Sequence, residues 1–381
     1  MTRVPLSILD VSPVSEGSTV RQALRNTIDL AQHAEKWGYL RYWVTEHHFV
    51  AMASSSPAVL IGLIAAATDR IRVGSAAVQI GHLTAAAVVE AFGTIDALYP
   101  DRIDLGLGRS PQRRADAAAG KPESETPREP MILENTLFPR PFRMNSLLAS
   151  KRLVATGSVL QQPGAVVPDF EDQLDAVIAL IDGTFEVADG VHLSVTPGEG
   201  ASVQLWLFGS SGGQSAQAAG ARGLPFVANY HLSPGTVLDA VEAYRNAFLP
   251  SSTLDEPYLV VSADVLVAET DSEAEYLAMP FAQWAYSVRS GDGAIPYPNP
   301  QHVDGQLAPE HAALVEDRVA TRFVGTAATV ADKLDGLRRA TGAQELVVTT
   351  ITHNHRDRLR SHELLAKEWG LTPRPAHFPR A

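Results

Sequence analysis

Residues 42–78, YWVTEHHFVAMASSSPAVLIGLIAAATDRIRVGSAAV, contain the repeating unit that decides the fold of this 381-residue chain. Two β-rich runs, YWVT (42–45) and RVGSAAV (72–78), flank an alanine-rich run of helical composition. Ser56 and Pro57 offer that helix a polar N-cap and a proline in its first turn. The stretch therefore predicts a β–α–β unit, in which a covering helix joins two parallel strands.

The same alternation extends to both sides of this unit. The further predicted strands are LSILD (6–10), IDLGLG (103–108), QLWLFG (204–209), PFVAN (225–229), YLVVSADVLVA (258–268) and ELVVTT (345–350). The helical runs are 19–37, 57–68, 85–98, 170–181, 213–222, 235–248, 329–340 and 356–369. Strands so rich in Val, Ile, Leu and Ala are covered on both faces, as in a parallel sheet. About eight βα units predict an α/β fold of the closed (β/α)8 TIM-barrel type, with a doubly wound open sheet as the alternative.

Two long segments interrupt the alternation. Residues 121–168 follow strand four and residues 290–321 precede strand eight, and both are rich in proline or glycine. Insertions of this length are usually lids or binding loops. We expect a single domain over 1–381 in which both segments act as lids, and a plain surface insertion is the alternative for each.

Composition limits the possible partners and compartments. The net charge is −12, which argues against nucleic acid or an anionic membrane as a partner, since both attract a positive surface. Hydrophobic residues make up 45% of the chain, enough for a large core. The chain has no cysteine, so disulfides and thiol nucleophiles are excluded, and a reducing cytoplasm fits. It shows neither a signal-peptide pattern nor an apolar run of about 20 residues that could span a membrane.

Functional residues of such a barrel lie where the strands end, and one of these ends favours an anion. The segment FGSSGGQSAQAAGARG (208–223) follows a strand and opens a helix, so its small residues and free N–H groups suit a phosphate. Arg109, after strand four, can add the positive charge. The alternative is a common Ser/Gly turn beside an arginine that is only a surface charge.

The motif EHH (46–48) at the end of strand two leaves three interpretations open. A metal site would need three converging ligands, for which Glu46, His47 and His82 are available. A neutral histidine near pH 7 suits proton transfer. A packed histidine pair at the barrel end is the structural alternative.

Four stretches together closely resemble the bacterial luciferase-like flavin-dependent monooxygenases. They are VTEHHFVAMASSSPAVLIGLIAAATDRIRVGSAAVQI (44–80), VVEAFGTIDALYPDRIDLGLGRSP (88–111), FGSSGGQSAQAAGARGLPFVANY (208–230) and RFVGTAATVADKLDGLRRATGAQELVVTT (322–350). The resemblance covers about residues 5–370, apart from 121–168. The subgroup it resembles contains biosynthetic monooxygenases of bacterial secondary metabolism.

The resemblance implies a two-component monooxygenase that uses reduced FMN (FMNH2) from a separate flavin reductase. One oxygen atom of O2 would enter a small organic substrate through a flavin C4a-hydroperoxide. The family's catalytic histidine corresponds to His47, and its unusual cis peptide to Ala76-Ala77. Together with these two alanines, the expected cofactor contacts are Glu46, Gly108, Arg109, Gly209, Ser210 and Ser211. The substrate contacts it suggests are His48, His82 and Tyr230, and no metal is expected.

The loop after strand three departs from the family. Relatives carry prolines around a histidine there, whereas this chain reads QIGHLTAAAVVE (79–90), so the substrate contact of His82 is in question. Three alternatives remain: an oxidoreductase that uses the deazaflavin F420, a non-catalytic flavin-binding protein, and a metal-dependent barrel hydrolase. The resemblance also implies a homodimer, formed through the helices that follow strands two and three.

Overall fold

In a computed structural model, which describes residues 3–120, 128–143, 145–303 and 307–373, eight parallel strands form a closed barrel. The strands are β1 (Leu6–Asp10), β2 (Arg41–Val44), β3 (Arg72–Ser75), β4 (Ile103–Gly108), β5 (Gln204–Gly209), β6 (Phe226–Ala228), β7 (Leu259–Ala268) and β8 (Glu345–Thr349). β1 pairs with both β2 and β8, and β4 pairs with β5, so the ring closes. The predicted (β/α)8 barrel is confirmed, and the open-sheet alternative is wrong.

Helices cover the outside of this barrel, each within two residues of its predicted bounds. They are α1 (Val20–Trp37), α2 (Pro57–Ala67), α3 (Ala85–Leu98), α4 (Phe170–Asp182), α5 (Gln214–Ala221), α6 (Val237–Ala247), α7 (Ala327–Thr341) and α8 (His355–Trp369). The apolar face of α1, with Leu30, Ala31 and Ala34, is fully buried. None of the helices in the described ranges is long and apolar enough to cross a membrane.

Local signals explain where several helices begin and end. Thr19 accepts a hydrogen bond from the Gln22 amide at the start of α1, and Gly38 ends that helix in the left-handed conformation with φ 91°. Pro57 occupies the first turn of α2 as expected, but the side chain of Ser56 makes no capping hydrogen bond. The polar cap predicted at Ser56 is therefore wrong, and the proline alone marks this helix start.

The barrel interior is filled in layers. At its amino-terminal end, Arg41 forms ion pairs with Asp104 at 2.7 Å and with Glu345 at 3.4 Å. The guanidinium of Arg41 also lies 4.5 Å from the ring centroid of Trp206. Above this layer, Trp206 and Phe208 both meet Trp43 edge to face. The lower and middle barrel is thus packed solid, which leaves the carboxyl end for a site.

Two strand glycines make room for these rings. A Cβ on Gly74 would lie 2.6 Å from a ring atom of Trp43, and one on Gly106 would lie 2.5 Å from Phe208. The Gly106 Cβ would also lie 2.0 Å from the carbonyl oxygen of Ser75. Glycine interrupts these strands because aromatic rings from neighbouring strands fill the space.

Two features of the sheet differ from the prediction. The run predicted as one strand over 72–78 ends at Ser75, and Val78–Gln79 pairs separately with the end of β4. The upper half of β7 pairs with a further strand, Phe323–Thr326, which the sequence pattern did not reveal. β7 is long because its lower half completes the barrel against β8 while its upper half carries this extension.

Both long segments contain regular structure. Within 121–168 lie an antiparallel pair, Met131–Leu133 with Thr136–Phe138, and the helices Asn145–Leu148 and Lys151–Leu160. Within 290–321 lie a 3-10 turn, Pro300–His302, and the helix Pro309–Ala320. The expectation of long loops is wrong for these parts, since proline and glycine concealed the helices. Residues 121–127, 144 and 304–306 lie outside the described residues.

Candidate functional site

A cavity of about 360 Å³ opens at the carboxyl end of the barrel, above the aromatic layer. Each of the eight strands contributes to its wall, either with a strand residue or with one that follows directly. Nine of the predicted site residues line it together: Glu46, His47, Ala76, Ala77, Gly108, Arg109, Gly209, Ser210 and Ser211. The barrel topology therefore brings together, in one site, residues that are up to 165 positions apart in the sequence, from 46 to 211.

Three predicted substrate contacts do not line the cavity. Tyr230 is fully buried, and its hydroxyl donates a hydrogen bond to the Leu137 carbonyl at 2.8 Å. His48 contacts a carboxylate oxygen of Glu46 at 2.8 Å, and His82 lies 2.6 Å from the guanidinium of Arg114. These two histidines form a second layer behind the wall.

His47 is held rigidly at the cavity wall. Its backbone N–H donates to the Ser54 carbonyl at 2.8 Å, and its Nδ1 lies 2.8 Å from the Thr45 hydroxyl. A hydroxyl can donate or accept, so it suits either tautomer of the imidazole, and Nε2 stays available for a ligand. Burial lowers the pKa of His47 to about 4, against a smaller opposing effect of Glu46, so the ring is neutral at pH 7. A neutral, oriented imidazole can accept or return a proton.

Glu46 fixes the chain that follows β3. One carboxylate oxygen accepts a hydrogen bond from the Gln79 amide at 2.9 Å, while the other contacts His48. The side-chain amide of Gln79 donates to the Glu46 carbonyl and accepts from Arg114 at 3.2 Å. Both oxygens of Glu46 are thus used within the protein, so its carboxylate positions the wall.

The arrangement around His82 does not suit a metal. Because its Nε2 faces the guanidinium of Arg114, a positive charge already occupies the position of a cation. Burial, and next the charge of Arg114, lower the pKa of His82 to about 4. Among the described residues, no group of three His, Cys, Asp or Glu side chains is arranged to hold a metal ion.

One end of the cavity is built for an anion. Arg109, Arg113, Ser210 and Ser211 line it there. Gly213 directly precedes α5 and, as a glycine, has no side chain that could cap the first turn of that helix. Burial, and next the charge of Arg113, lower the pKa of Arg109, so an anion at this end would relieve an unfavourable local charge. The predicted phosphate loop and its arginine therefore do lie together.

Another part of the wall is apolar. The peptide bond between Ala76 and Ala77 is cis, as the resemblance implies. Both alanines pack on the cluster that contains Leu9, Trp43 and Phe208. Leu9 and Phe208 themselves reach the cavity. This surface can contact the face of a planar aromatic ring.

Other residues of the wall were not in the predicted site. His231 lies on it, and its Nδ1 is 2.5 Å from the Ser262 hydroxyl. Both residues follow the end of β6, where Tyr230 packs into the core while His231 lines the cavity. Trp284 and Arg318 come from the helices Pro280–Arg289 and Pro309–Ala320, which no strand-end rule could find.

Comparison with known proteins agrees with this site. The family described as luciferase-like monooxygenase matches residues 4–131 and 161–345. The chain belongs to the luciferase-like monooxygenase family. A luciferase-like monooxygenase of Escherichia coli (strain K12) is 33% identical over 364 residues, which cover 95% of this chain and 96% of that protein. The resemblance of the four stretches thus identified the family correctly.

Two solved structures agree with this chain in fold. Apo-MsnO8 superposes with a TM-score of 0.75 at 31% identity, over 98% of this chain and 99% of that one. The oxygenating constituent of 3,6-diketocamphane monooxygenase from Pseudomonas putida, in complex with FMN, gives 0.64 at 18% identity, over 97% and 99%. At that identity the likeness concerns the fold alone.

Proposed function

We propose that the protein is a two-component monooxygenase that uses reduced FMN and O2 to oxygenate a small organic substrate. One observation carries the proposal. A single cavity combines an arginine-rich anion end, an apolar wall and a neutral buried histidine. These three features match, in order, the phosphate of FMN, its ring system and the proton transfers that oxygenation requires.

The anion end fits the FMN phosphate. The unpaired N–H groups at the start of α5 and the hydroxyls of Ser210 and Ser211 are donors to phosphate oxygens. Arg109 makes only a weak contact with the amide oxygen of Gln214 at 3.3 Å and lies 3.7 Å from Asp116. Its guanidinium can therefore turn to a phosphate without breaking a strong pair.

The apolar wall and His47 serve the other end of the cofactor. Ala76, Ala77 and Phe208 would contact the ring system, whose reduced form supplies the two electrons that activate O2. With Nδ1 held by Thr45, Nε2 of His47 can take a proton from the reacting groups or return it. Its low pKa keeps the ring neutral at pH 7, so that the imidazole has one N–H donor and one nitrogen that can accept a proton.

Part of the second long segment would keep water out. Arg318, on the helix Pro309–Ala320, covers the cavity together with Trp284 and Val288 of the preceding helix. We propose that 290–321 is a lid of the single domain, because oxygenation needs a dry site. None of the described residues of 121–168 lines the cavity, so we do not assign that segment a lid role.

A separate flavin reductase would supply the reduced FMN. A cytoplasmic location stays a prediction.

The second expected partner is another copy of the chain. The surfaces of α2 and α3 expose large apolar side chains, with Val59 64%, Leu63 54% and Leu98 70% exposed. We propose that this face forms a homodimer. Light scattering at micromolar concentration should give twice the mass of the chain, and Leu63→Glu should give a monomer; a monomeric wild type would disprove the dimer.

Flavin binding and reoxidation test the function. Anaerobic fluorescence titration should show that reduced FMN binds more tightly than oxidised FMN. Admission of air should then reoxidise the bound flavin much more slowly than free flavin. Hydride exchange with F420 would instead favour the deazaflavin alternative, and tight binding with no substrate turnover would favour a flavin-binding protein.

A further inference from the structure

Arg318 is a buried arginine with no hydrogen-bonding partner at the cavity. It lies on the helix Pro309–Ala320, is only 5% exposed, and lines the cavity. No other described residue accepts a hydrogen bond from its guanidinium, and its Nε is buried without a partner. Its nearest aromatic contact is the ring of Phe281, 5.5 Å away. Buried arginines are normally paired, so this one needs an explanation.

The neighbouring carboxylates are already bonded to other arginines. Arg322 binds Asp264 at 2.9 Å, and Arg289 binds Asp317 at 2.9 Å. Asp264 and Asp317 thus each already pair with one arginine, although Nη2 of Arg322 is also buried without a partner. Arg318 adds a third guanidinium that no carboxylate of the described residues binds. Burial lowers the pKa of Arg318 to about 10, although Asp264 opposes the shift. The region therefore carries one surplus positive charge that faces the cavity.

The surroundings of Arg318 suit a ligand with one anionic group. His231 lines the same part of the wall and is neutral, because burial, and next Arg318, lower its pKa to about 3. Its Nδ1 is held by Ser262, so Nε2 can also meet a polar group of a ligand. Trp284 and Val288 supply apolar surface beside these two residues.

We propose that Arg318 binds a carboxylate of the organic substrate, and that the substrate is an organic acid with an apolar body. The inference rests on the proposed function for the identity of the cavity, but names the group that the substrate must carry. Arginine binds carboxylates through two parallel hydrogen bonds, which orients the ligand as well as holding it. Arg109 directly follows β4, whereas Arg318 interacts electrostatically with Asp264 of β7. Two strands, β5 and β6, lie between β4 and β7 in the barrel, so we assign the phosphate and the carboxylate to separate sites.

Anion binding tests this directly, with acetate and benzoate as probes and acetamide and benzamide as neutral controls. Calorimetry on the full chain, with and without FMN, should show each acid binding at least about tenfold more tightly than its amide. The preference should vanish in Arg318→Met and persist in part in Arg318→Lys, which keeps the charge. Equal binding of acid and amide by the wild type, or an unchanged preference in Arg318→Met, would overturn the inference.

Thermal stability provides a second readout without any ligand. Arg318→Met removes an unpaired buried charge, so it should raise the Tm by about 2 to 4 °C. The matched change Arg289→Met leaves Asp317 buried without its partner and should lower the Tm. A fall in Tm for Arg318→Met would mean that the arginine holds the fold, and the inference would be wrong.

The same preparations separate this inference from the proposed function. The FMN affinity of Arg318→Met should equal that of the wild type. If Arg318→Met loses the preference for FMN over riboflavin, Arg318 binds the flavin phosphate and the inference fails. If the wild type binds no flavin, the proposed function fails, while acid binding through Arg318 can still be measured.

Discussion

Replacement of Arg109 by methionine should weaken FMN binding much more than riboflavin binding. The two ligands differ by the phosphate, so the difference isolates the anion end of the cavity. Arg109 lines that end, and its side chain is 17% exposed. Methionine preserves most of the length of the buried arginine side chain and removes only the charged guanidinium group.

The expected size of the effect follows from the burial. A charge-assisted hydrogen bond contributes about 1.5 to 3 kcal/mol, which corresponds to roughly a 10- to 150-fold change in Kd. Among the described residues Arg109 has no strong partner, since its contacts to Gln214 and Asp116 are 3.3 and 3.7 Å long. Little is therefore lost within the protein when it binds phosphate, and the upper part of that range applies.

Fluorescence quenching of FMN and riboflavin gives both constants for wild type and variant. Arg222→Met is a matched control, because Arg222 follows α5 directly but binds Glu171 and Asp175 and does not line the cavity. The reasoning is refuted if Arg109→Met changes both ligands equally, or if Arg222→Met has the same effect.

Three further predictions concern other layers of the barrel. His47→Ala should bind reduced FMN within a few-fold of wild type but lose about 10²- to 10⁴-fold in oxygenation rate; an unchanged product yield per reduced flavin would exclude the proton role. His362 is fully buried, and burial, and next Arg358, lower its pKa to about 3. Between about pH 6.5 and 3 only the unfolded chain binds this proton, so the wild type loses stability as the pH falls and His362→Leu does not. The free energy of urea unfolding of His362→Leu, relative to that of the wild type, should therefore be about 2 kcal/mol higher at pH 5 than at pH 8. An equal difference between the two proteins at both pH values would contradict this. Gly106→Ala places a Cβ 2.0 Å from the Ser75 carbonyl oxygen, so it should lower the free energy of unfolding by on the order of 3 kcal/mol or prevent folding. A urea midpoint equal to that of the wild type would show that the strand can shift to accommodate the methyl group.

The sequence predicted the barrel well because its signals are local. Helix periodicity depends on neighbouring residues, and each of the eight predicted helices lies within two residues of its expected bounds. The strand Phe323–Thr326 was missed because its partner is the upper half of β7, and a pairing outside the barrel leaves no mark in a βα pattern. The helix Pro309–Ala320 was missed because the prolines and glycines before it resemble a loop.

The cavity wall was predicted where strand ends supply it. His47, Arg109 and Ser210 follow strands, and the rule that strand ends meet at one end of a barrel is enough to predict that these residues lie close together. Tyr230 was chosen over His231 because sequence alone does not say which of two adjacent residues faces inward. Arg318 comes from an inserted helix whose position depends on packing against Pro280–Arg289, and no pattern along the chain encodes that contact.

The charge of the cavity explains how an acidic protein can take anionic ligands. The chain carries a net charge of −12, yet the cavity wall includes Arg109, Arg113, Arg114 and Arg318 against only Glu46 and Asp264. Glu46 and Asp264 are both hydrogen-bonded within the protein, so the surplus is positive. Because the walls of the cavity have a low dielectric constant, the electric field of these arginines inside it is stronger than the field of the distant surface charges, which salt screens. His47 lines the same cavity and is neutral, as the proposed proton transfer requires. The surface carries the acidity of the chain, and the arginines placed at strand ends and on the inserted helix determine what the cavity can bind.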